Sequence, residues 1–258
     1  MAATGERSIQ QPEGPIVRDH YDAVLLDLDG VITDTADLHA VCWKRMFDEF
    51  LQNRATEKRE AFRPFDIATD YRQYVDGKPR FDGVRDFLTS RRIELPEGSP
   101  DDPPQTETVS GLGNRKNDLV NKAIEEVGIK PYEGSVKLIH QLRHRGFKIA
   151  VVTSSQNCAA VLRAAKLDDL FDISIDGNTI LAEDLAGKPA PDTFLIAAKR
   201  LGVEPSRAVV VEDALSGVEA ACNGKFGLVI GVARKGNAGE LRHCGAHLVV
   251  NDLSELVG

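Results

Sequence analysis

Five short apolar runs, each closing on a polar residue or bounded by one, constrain this chain more than any other feature: AVLLD (23–27), IAVVT (149–153), AVVVE (208–212), LVIGV (228–232) and HLVVN (247–251). They are rich in β-branched residues and lack the in–out alternation of a half-exposed strand, so they read as strands buried on both faces. Helical patterns lie between them. Val136, Ile139 and Leu142 recur at helical spacing before Gly146, which reads as a C-terminal cap, and Ala159–Leu167 and Phe194–Leu201 repeat the pattern, the latter ending at Gly202. Asp192 reads as the N-terminal cap of that last helix. Continuous apolar strands alternating with helices give an α/β architecture, a Rossmann-like parallel sheet covered on both faces.

The alternation fails between about residues 37 and 128. Leu38, Val41, Cys42, Met46 and Phe50 mark a helix face; a polar stretch, the Pro-rich acidic tract ELPEGSPDDPPQ and the Gly-bearing SGLGNRKN follow. This reads as an inserted helical cap that leaves the sheet after its first strand and returns near Pro131. The expected division is a polar N-terminal tail (1–20), an α/β core (21–36 and 129–258) and a helical cap (37–128), with Pro96–Pro104 a surface loop. A chain of 258 residues can form one large domain or a core plus a smaller domain.

Composition narrows the function. The formal charge of −8, with basic residues scattered, argues against nucleic acid or an anionic membrane as a non-specific partner. Cys42, Cys158, Cys222 and Cys244 are far apart, which argues against a zinc knot or a disulfide scaffold and suits a reducing cytosol. Residues 1–20 show no apolar signal-peptide core, and no run approaches the roughly 18 apolar residues of a membrane span. The expectation is a cytoplasmic protein, monomeric or weakly dimeric.

Ligands of open parallel sheets bind at the carboxyl ends of the strands. Those ends carry Asp27-Leu28-Asp29-Gly30, Thr153-Ser154-Ser155 and Glu212-Asp213, while Lys188 sits in AGKPAPD on the connection before the strand AVVVE. Four carboxylates gathered around one lysine would raise one another's pKa unless a cation intervened, and a set of hard oxygen donors implies Mg²⁺. Magnesium on carboxylates is a usual partner of phosphate, and Thr153 before a helix can donate to a phosphate oxygen. The cluster suits phosphoryl transfer through a carboxylate nucleophile.

DLDGVITDT, the Thr/Ser pair after a buried strand, Lys188 in GKPAPD, and EDALSGVEA resemble, in order, the four motifs of the haloacid dehalogenase superfamily. TDTADLHAVCW, IAVVTSSQN and the cap segment RKND make the chain most similar to the β-phosphoglucomutase-like subfamily. The resemblance implies that Asp27 attacks phosphorus and that Asp29 is the general acid/base. It implies a metal held by Asp27, the Asp29 carbonyl, Glu212 and Asp213. Thr153, Ser154 and Ser155 would hold the transferring phosphoryl group, with Lys188 neutralising it, and Asn157 is a substrate-binding candidate. Thr35, His39 and Trp43, at i, i+4 and i+8, share a helix face and match the subfamily's hinge threonine, acid/base-coupled histidine and substrate tryptophan.

In the cap, Lys116 and Asn117 are expected at sugar hydroxyls. DGVRDFL (82–88) resembles the subfamily's specificity loop, making Arg85 the expected clamp for the distal phosphate, with Arg80 and Lys78 competing. Gln156 replaces a lysine common in these mutases. GLGNRK lacks a preceding strand and a third glycine, so it is no dinucleotide fingerprint. The implied activity is a sugar-phosphate mutase working through an aspartyl phosphate. A phosphatase is the alternative, and a non-catalytic phosphosugar sensor, which would have lost Asp27, Asp29 or Asp213, is the third reading.

Overall fold

All five apolar runs form strands, and a sixth joins them. The computed structural model describes residues 14–258, so residues 1–13 of the expected tail lie outside the described residues. The chain runs β1 (Ala23–Leu26), α1 (Ala36–Lys58), a π-helical segment (Ile67–Val75), α2 (Arg80–Ser90), α3 (Val109–Val127) and α4 (Glu133–His144). It continues through β2 (Lys148–Val152), α5 (Cys158–Ala164), β3 (Ile173–Ile175), α6 (Gly177–Ala182) and α7 (Asp192–Leu201). It ends with β4 (Ala208–Glu212), α8 (Leu215–Asn223), β5 (Leu228–Val232), α9 (Ala238–His243) and β6 (Leu248–Val250). β3 escaped the sequence reading because it is three residues long, with a polar Ser174 at its centre.

The strands form one parallel sheet in the order β3-β2-β1-β4-β5-β6. β1 is therefore central, with consecutive connections running off to either side, and the point where the order reverses lies at its carboxyl end. Alternate strand residues feed two cores. Val24, Leu26, Val151 and Val211 pack with Leu138 and Ile139 of α4 and Val161 of α5 on one face. Leu25, Val152 and Val210 pack with Phe194 and Ala197 of α7 and Val218 of α8 on the other. Burying a Val, Leu, Ile or Phe side chain contributes about 1.5–3 kcal/mol.

A third apolar cluster belongs to the residues inserted between β1 and α4. Trp43 and Phe47 of α1 stack at 5.3 Å, and Phe47 meets Phe87 of α2 at 4.1 Å, with Phe65 against both Phe47 and Phe87. This corrects the helix face expected for α1. Val41 is 59% exposed, because the aromatic residues at 43, 47 and 50 turn it outward. SGLGNRKN lies in the first turns of α3. Its glycines are packing devices: a Cβ on Gly111 would stand 2.1 Å from Thr106 O, and one on Gly113 2.7 Å from Phe81 Cδ1. The Pro-rich tract is exposed, as expected, and tied down: Asn114 Nδ2 donates to Pro100 O and Asp102 O, and Val109 N to Pro96 O.

The two crossings between these regions run side by side. Asp34 N donates to Lys130 O, Tyr132 N to Ile32 O, and Tyr132 Oη to Asp34 Oδ1 at 2.8 Å. Asp192 does not cap α7; it is the first helical residue, and its carboxylate accepts from Ala186 N at 3.1 Å, securing the loop that carries Lys188. No helix among the described residues is long and apolar enough to cross a membrane.

Candidate active site

Sheet register brings the first group of side chains together. Leu26 lies beside Val151 on one side and Val211 on the other, so the next residue, Asp27, sits between the ends of β2 and β4. Asp27 N donates to Val211 O, which locks that position. The Lys188 amine then reaches in from the loop before α7, donating to Asp27 Oδ1 and Glu212 Oε1, each at 2.6 Å, and its side chain is wholly buried. Glu212 Oε2 accepts from Ala214 N, so both of its oxygens are engaged. Room for it comes from Gly217, where a Cβ would lie 1.8 Å from Glu212 Oε1.

Asp27, Glu212 and Asp213 each offer a carboxylate oxygen within 4.8 Å of the others. One lysine cannot balance them. Burial pushes the Asp27 carboxyl well above the usual carboxylate range despite Lys188, with Glu212 and Asp29 adding to the push. Burial does the same to Asp213, joined by Asp76, Glu212 and Asp27. Lys188 is held protonated: burial opposes its charge, but Asp27 and Glu212 outweigh that and raise it. An all-oxygen donor set short of positive charge fits a hard divalent cation. Gly30, in the left-handed region at φ +87°, leaves the space, since a Cβ there would stand 2.0 Å from Asp213 Oδ2.

Asp29 faces a different set of partners. Its amide donates to Asp27 Oδ2 at 2.9 Å, while its carboxylate turns toward the inserted helices. Thr35 Oγ1 and Thr153 Oγ1 donate to it, the latter at 3.3 Å, and His39 Nε2 stands 3.5 Å from Oδ1. Burial drives His39 down to about 4, with the Lys116 ammonium adding to the effect, so the ring is neutral near pH 7. Lys116 Nζ lies 3.0 Å from His39 Nδ1 and 4.9 Å above the Trp43 ring. Donation to Nδ1 leaves the His39 proton on Nε2, aimed at Asp29. Burial also lowers Lys116, to about 8. Thr35, His39, Trp43 and Lys116, read from spacing and resemblance, thus converge on the acid/base candidate.

The far wall is Asp76–Arg80, the loop between the π-helical segment and α2, and there the sequence reading needs correction. Arg85 is not in the pocket. It lies on the outer side of α2, paired with Asp82 at 2.5 Å and Glu97 at 2.7 Å, while Gly83, Val84, Phe87 and Leu88 face inward. Arg80 and Lys78 line the pocket instead. Arg80 donates to Gln156 Oε1 and to Asn114 Oδ1 at 2.7 Å, and its Nε is buried without a hydrogen-bond partner. A lysine at position 156 could not accept that bond and would repel the guanidinium.

Ser154 and Ser155 line the pocket, but the Ser154 hydroxyl donates to Gly77 O at 2.7 Å. Asn157, expected at the substrate, does not line the pocket; its Nδ2 donates to Oδ1 of Asn117, which does, at 3.0 Å across the two regions. Asp76 and Tyr71 were missed. Burial raises Asp76 to about 6, and Asp213 feels its charge. The available signal was the string DGKPR, a glycine turn dense in charge.

A sheet whose reversal point gathers carboxylates and a lysine beneath inserted helices defines a phosphotransfer-type α/β fold, and comparison with known proteins agrees. The model of the haloacid dehalogenase-like hydrolase family matches residues 21–223, and the chain belongs to that family. It is 52% identical over 238 residues to a β-phosphoglucomutase of Mycobacterium tuberculosis (strain CDC 1551 / Oshkosh), covering 91% of each chain. It is 30% identical over 235 residues to the β-phosphoglucomutase of Bacillus subtilis (strain 168), again covering 91% of each. Among solved structures, the β-phosphoglucomutase of Clostridium difficile superposes with TM-score 0.70 at 25% identity, covering 92% of this chain and 93% of that one.

Proposed function

We propose that this protein is a β-phosphoglucomutase, interconverting β-D-glucose 1-phosphate and glucose 6-phosphate through a bound 1,6-bisphosphate. The carrying observation is one pocket lined by Asp27, Asp29 and Thr153 at the sheet and, on the inserted loop, by Arg80, whose buried Nε has no hydrogen-bond partner. Lys188 lies buried behind that lining, bonded to Asp27. A substrate bearing one phosphate while another is transferred needs both a phosphoryl-transfer end and a separate cation. The named mutase relatives, matched over nearly their whole lengths, support the same reading.

In this reading Asp27 attacks phosphorus and carries the phosphoryl group. Asp29 exchanges the proton of the sugar hydroxyl, oriented by Thr35, Thr153 and the neutral His39. Thr153 and Lys188 hold the phosphoryl oxygens, and Arg80 holds the other phosphate in its fork. Mg²⁺, which Asp27, Asp213 and the Asp29 carbonyl would hold with Glu212 in support, would supply positive charge against the phosphoryl oxygens. Residues 37–128 act as a cap whose closure keeps water from the aspartyl phosphate.

The test is turnover of β-glucose 1-phosphate with Mg²⁺ and a trace of bisphosphate. Glucose 6-phosphate should accumulate, and Asp27→Asn should abolish both turnover and phosphoryl labelling. Rapid release of inorganic phosphate with no glucose 6-phosphate would make the protein a phosphatase instead.

A further inference from the structure

One five-residue segment of the inserted region, Asp76–Arg80, is seated on three of the four core loops that carry the candidate catalytic and metal-binding residues, and the contacts are made by their neighbours. After β2, Ser154, next to Thr153, donates its hydroxyl to Gly77 O at 2.7 Å. After β4, Ser216, three residues beyond Asp213, donates to Asp76 O at 2.8 Å. Before α7, Gly187, next to Lys188, lies so close to Pro79 that a Cβ on it would stand 2.2 Å from Pro79 Cγ. Gly77 is also forced: at φ +71° its Cβ would lie 2.5 Å from Ser216 Oγ and 2.9 Å from Ala214 Cβ. Neither Ser216 nor Gly187 lines the pocket.

We propose that Ser216 and Gly187 are specificity-determining positions that seat the Asp76–Arg80 strap and thereby set whether the aspartyl phosphate passes to a sugar hydroxyl or to water. The inference rests on the mutase reading and deepens it. In transfer, the sugar oxygen bonds to phosphorus as the Asp27 oxygen–phosphorus bond breaks, and the hydroxyl proton goes to Asp29. In hydrolysis, a water oxygen takes that place, the same bond breaks, the proton goes to Asp29 and inorganic phosphate leaves. Both routes need the same residues, so only access separates them. Two side-chain-to-carbonyl bonds and a glycine-sized seat hold the strap down without spending a catalytic group. Because the three seats adjoin Thr153, Lys188 and Asp213, the strap is fully docked only when the phosphate-binding loops are in register.

Ser216→Ala removes one of the two bonds at nearly constant volume, and Gly187→Ala obstructs the seat. Two readouts are needed: the ratio of inorganic phosphate to glucose 6-phosphate formed from β-glucose 1-phosphate, and acrylamide quenching of Trp43, the chain's single tryptophan, with Mg²⁺ and beryllium fluoride bound. Trp43 is buried under the inserted helices and lines the pocket, so it reports seating without any sugar. Ser216→Ala should raise the phosphate ratio about three- to tenfold, as expected for a lost neutral hydrogen bond, and Gly187→Ala by more. Quenching should rise in both. Parent-like ratios and parent-like quenching in both variants would overturn the proposal. If the parent itself yields only inorganic phosphate, the mutase reading fails, and the quenching measurement alone still decides whether these residues seat the strap.

Discussion

Replacing Lys188 by methionine tests the electrostatic core of the site. The substitution keeps the length of the stem and removes a buried charge that bonds Asp27 and Glu212 at 2.6 Å each. Removing one partner of a buried ion pair costs about 3–5 kcal/mol, because the remaining charge stays desolvated and unpaired. Here two carboxylates are left, so the upper part of that range applies until one of them takes up a proton. The expected pH dependence follows. The folded-state pKa of Asp27 already lies above its unfolded value, and losing Lys188 raises it further. The protonated form therefore favours folding: the destabilisation is full above the folded pKa and shrinks as pH falls toward about 4, the unfolded value. Urea denaturation of Lys188→Met and parent, from pH 5 to 8 without divalent metal, measures the gap. Added Mg²⁺ should narrow it at pH 7.5, since the extra negative charge favours a cation. A variant within about 1 kcal/mol of the parent at pH 7.5, or a gap that does not close toward pH 5, would refute the reasoning.

Further measurements separate the remaining assignments. Arg80→Ala should lower kcat/KM for a sugar phosphate by about 10²-fold or more through loss of a charge-assisted contact, while Arg85→Ala should change it less than about twofold, which steady-state kinetics will show. With Lys116 lowered to about 8, kcat/KM should fall above that pH, and Lys116→Arg should move this alkaline limb upward whatever its effect on the maximum. Asp76→Asn should stabilise the metal-free protein above about pH 6 and leave it unchanged near pH 4. Its carboxyl, raised to about 6 when folded, costs stability only once ionised. Denaturation at both pH values measures the difference.

The sheet was legible because burial on both faces leaves continuous apolar runs, and the catalytic candidates because they end those runs. Asp27, Thr153 and Glu212 needed only the rule that ligands gather at strand carboxyl ends. His39 and Trp43 needed helical spacing, which α1 preserves over its 23 residues. Arg80 against Arg85 was not legible. Both lie on α2, five residues apart, and what separates them is which face packs on Phe47 and Phe65. Resemblance to a loop pointed at the wrong arginine because local sequence does not state the rotation of a helix. The reason for the glycines of SGLGNRKN was not legible either: they allow close contacts with Thr106 and Phe81, which only the packed structure reveals.

By itself the sequence determined five of the six strands, the break in their alternation after the first, and the candidate residues at the strand ends, all properties encoded within a few residues of one another. Tertiary structure alone decided which arginine meets the pocket, that Ser154 holds a carbonyl of the opposite wall, and that Asp76 approaches Asp213. Those outcomes depend on how two separately cored regions are pressed together. Contacts between residues distant along the chain are fixed by packing and register, which no local pattern records.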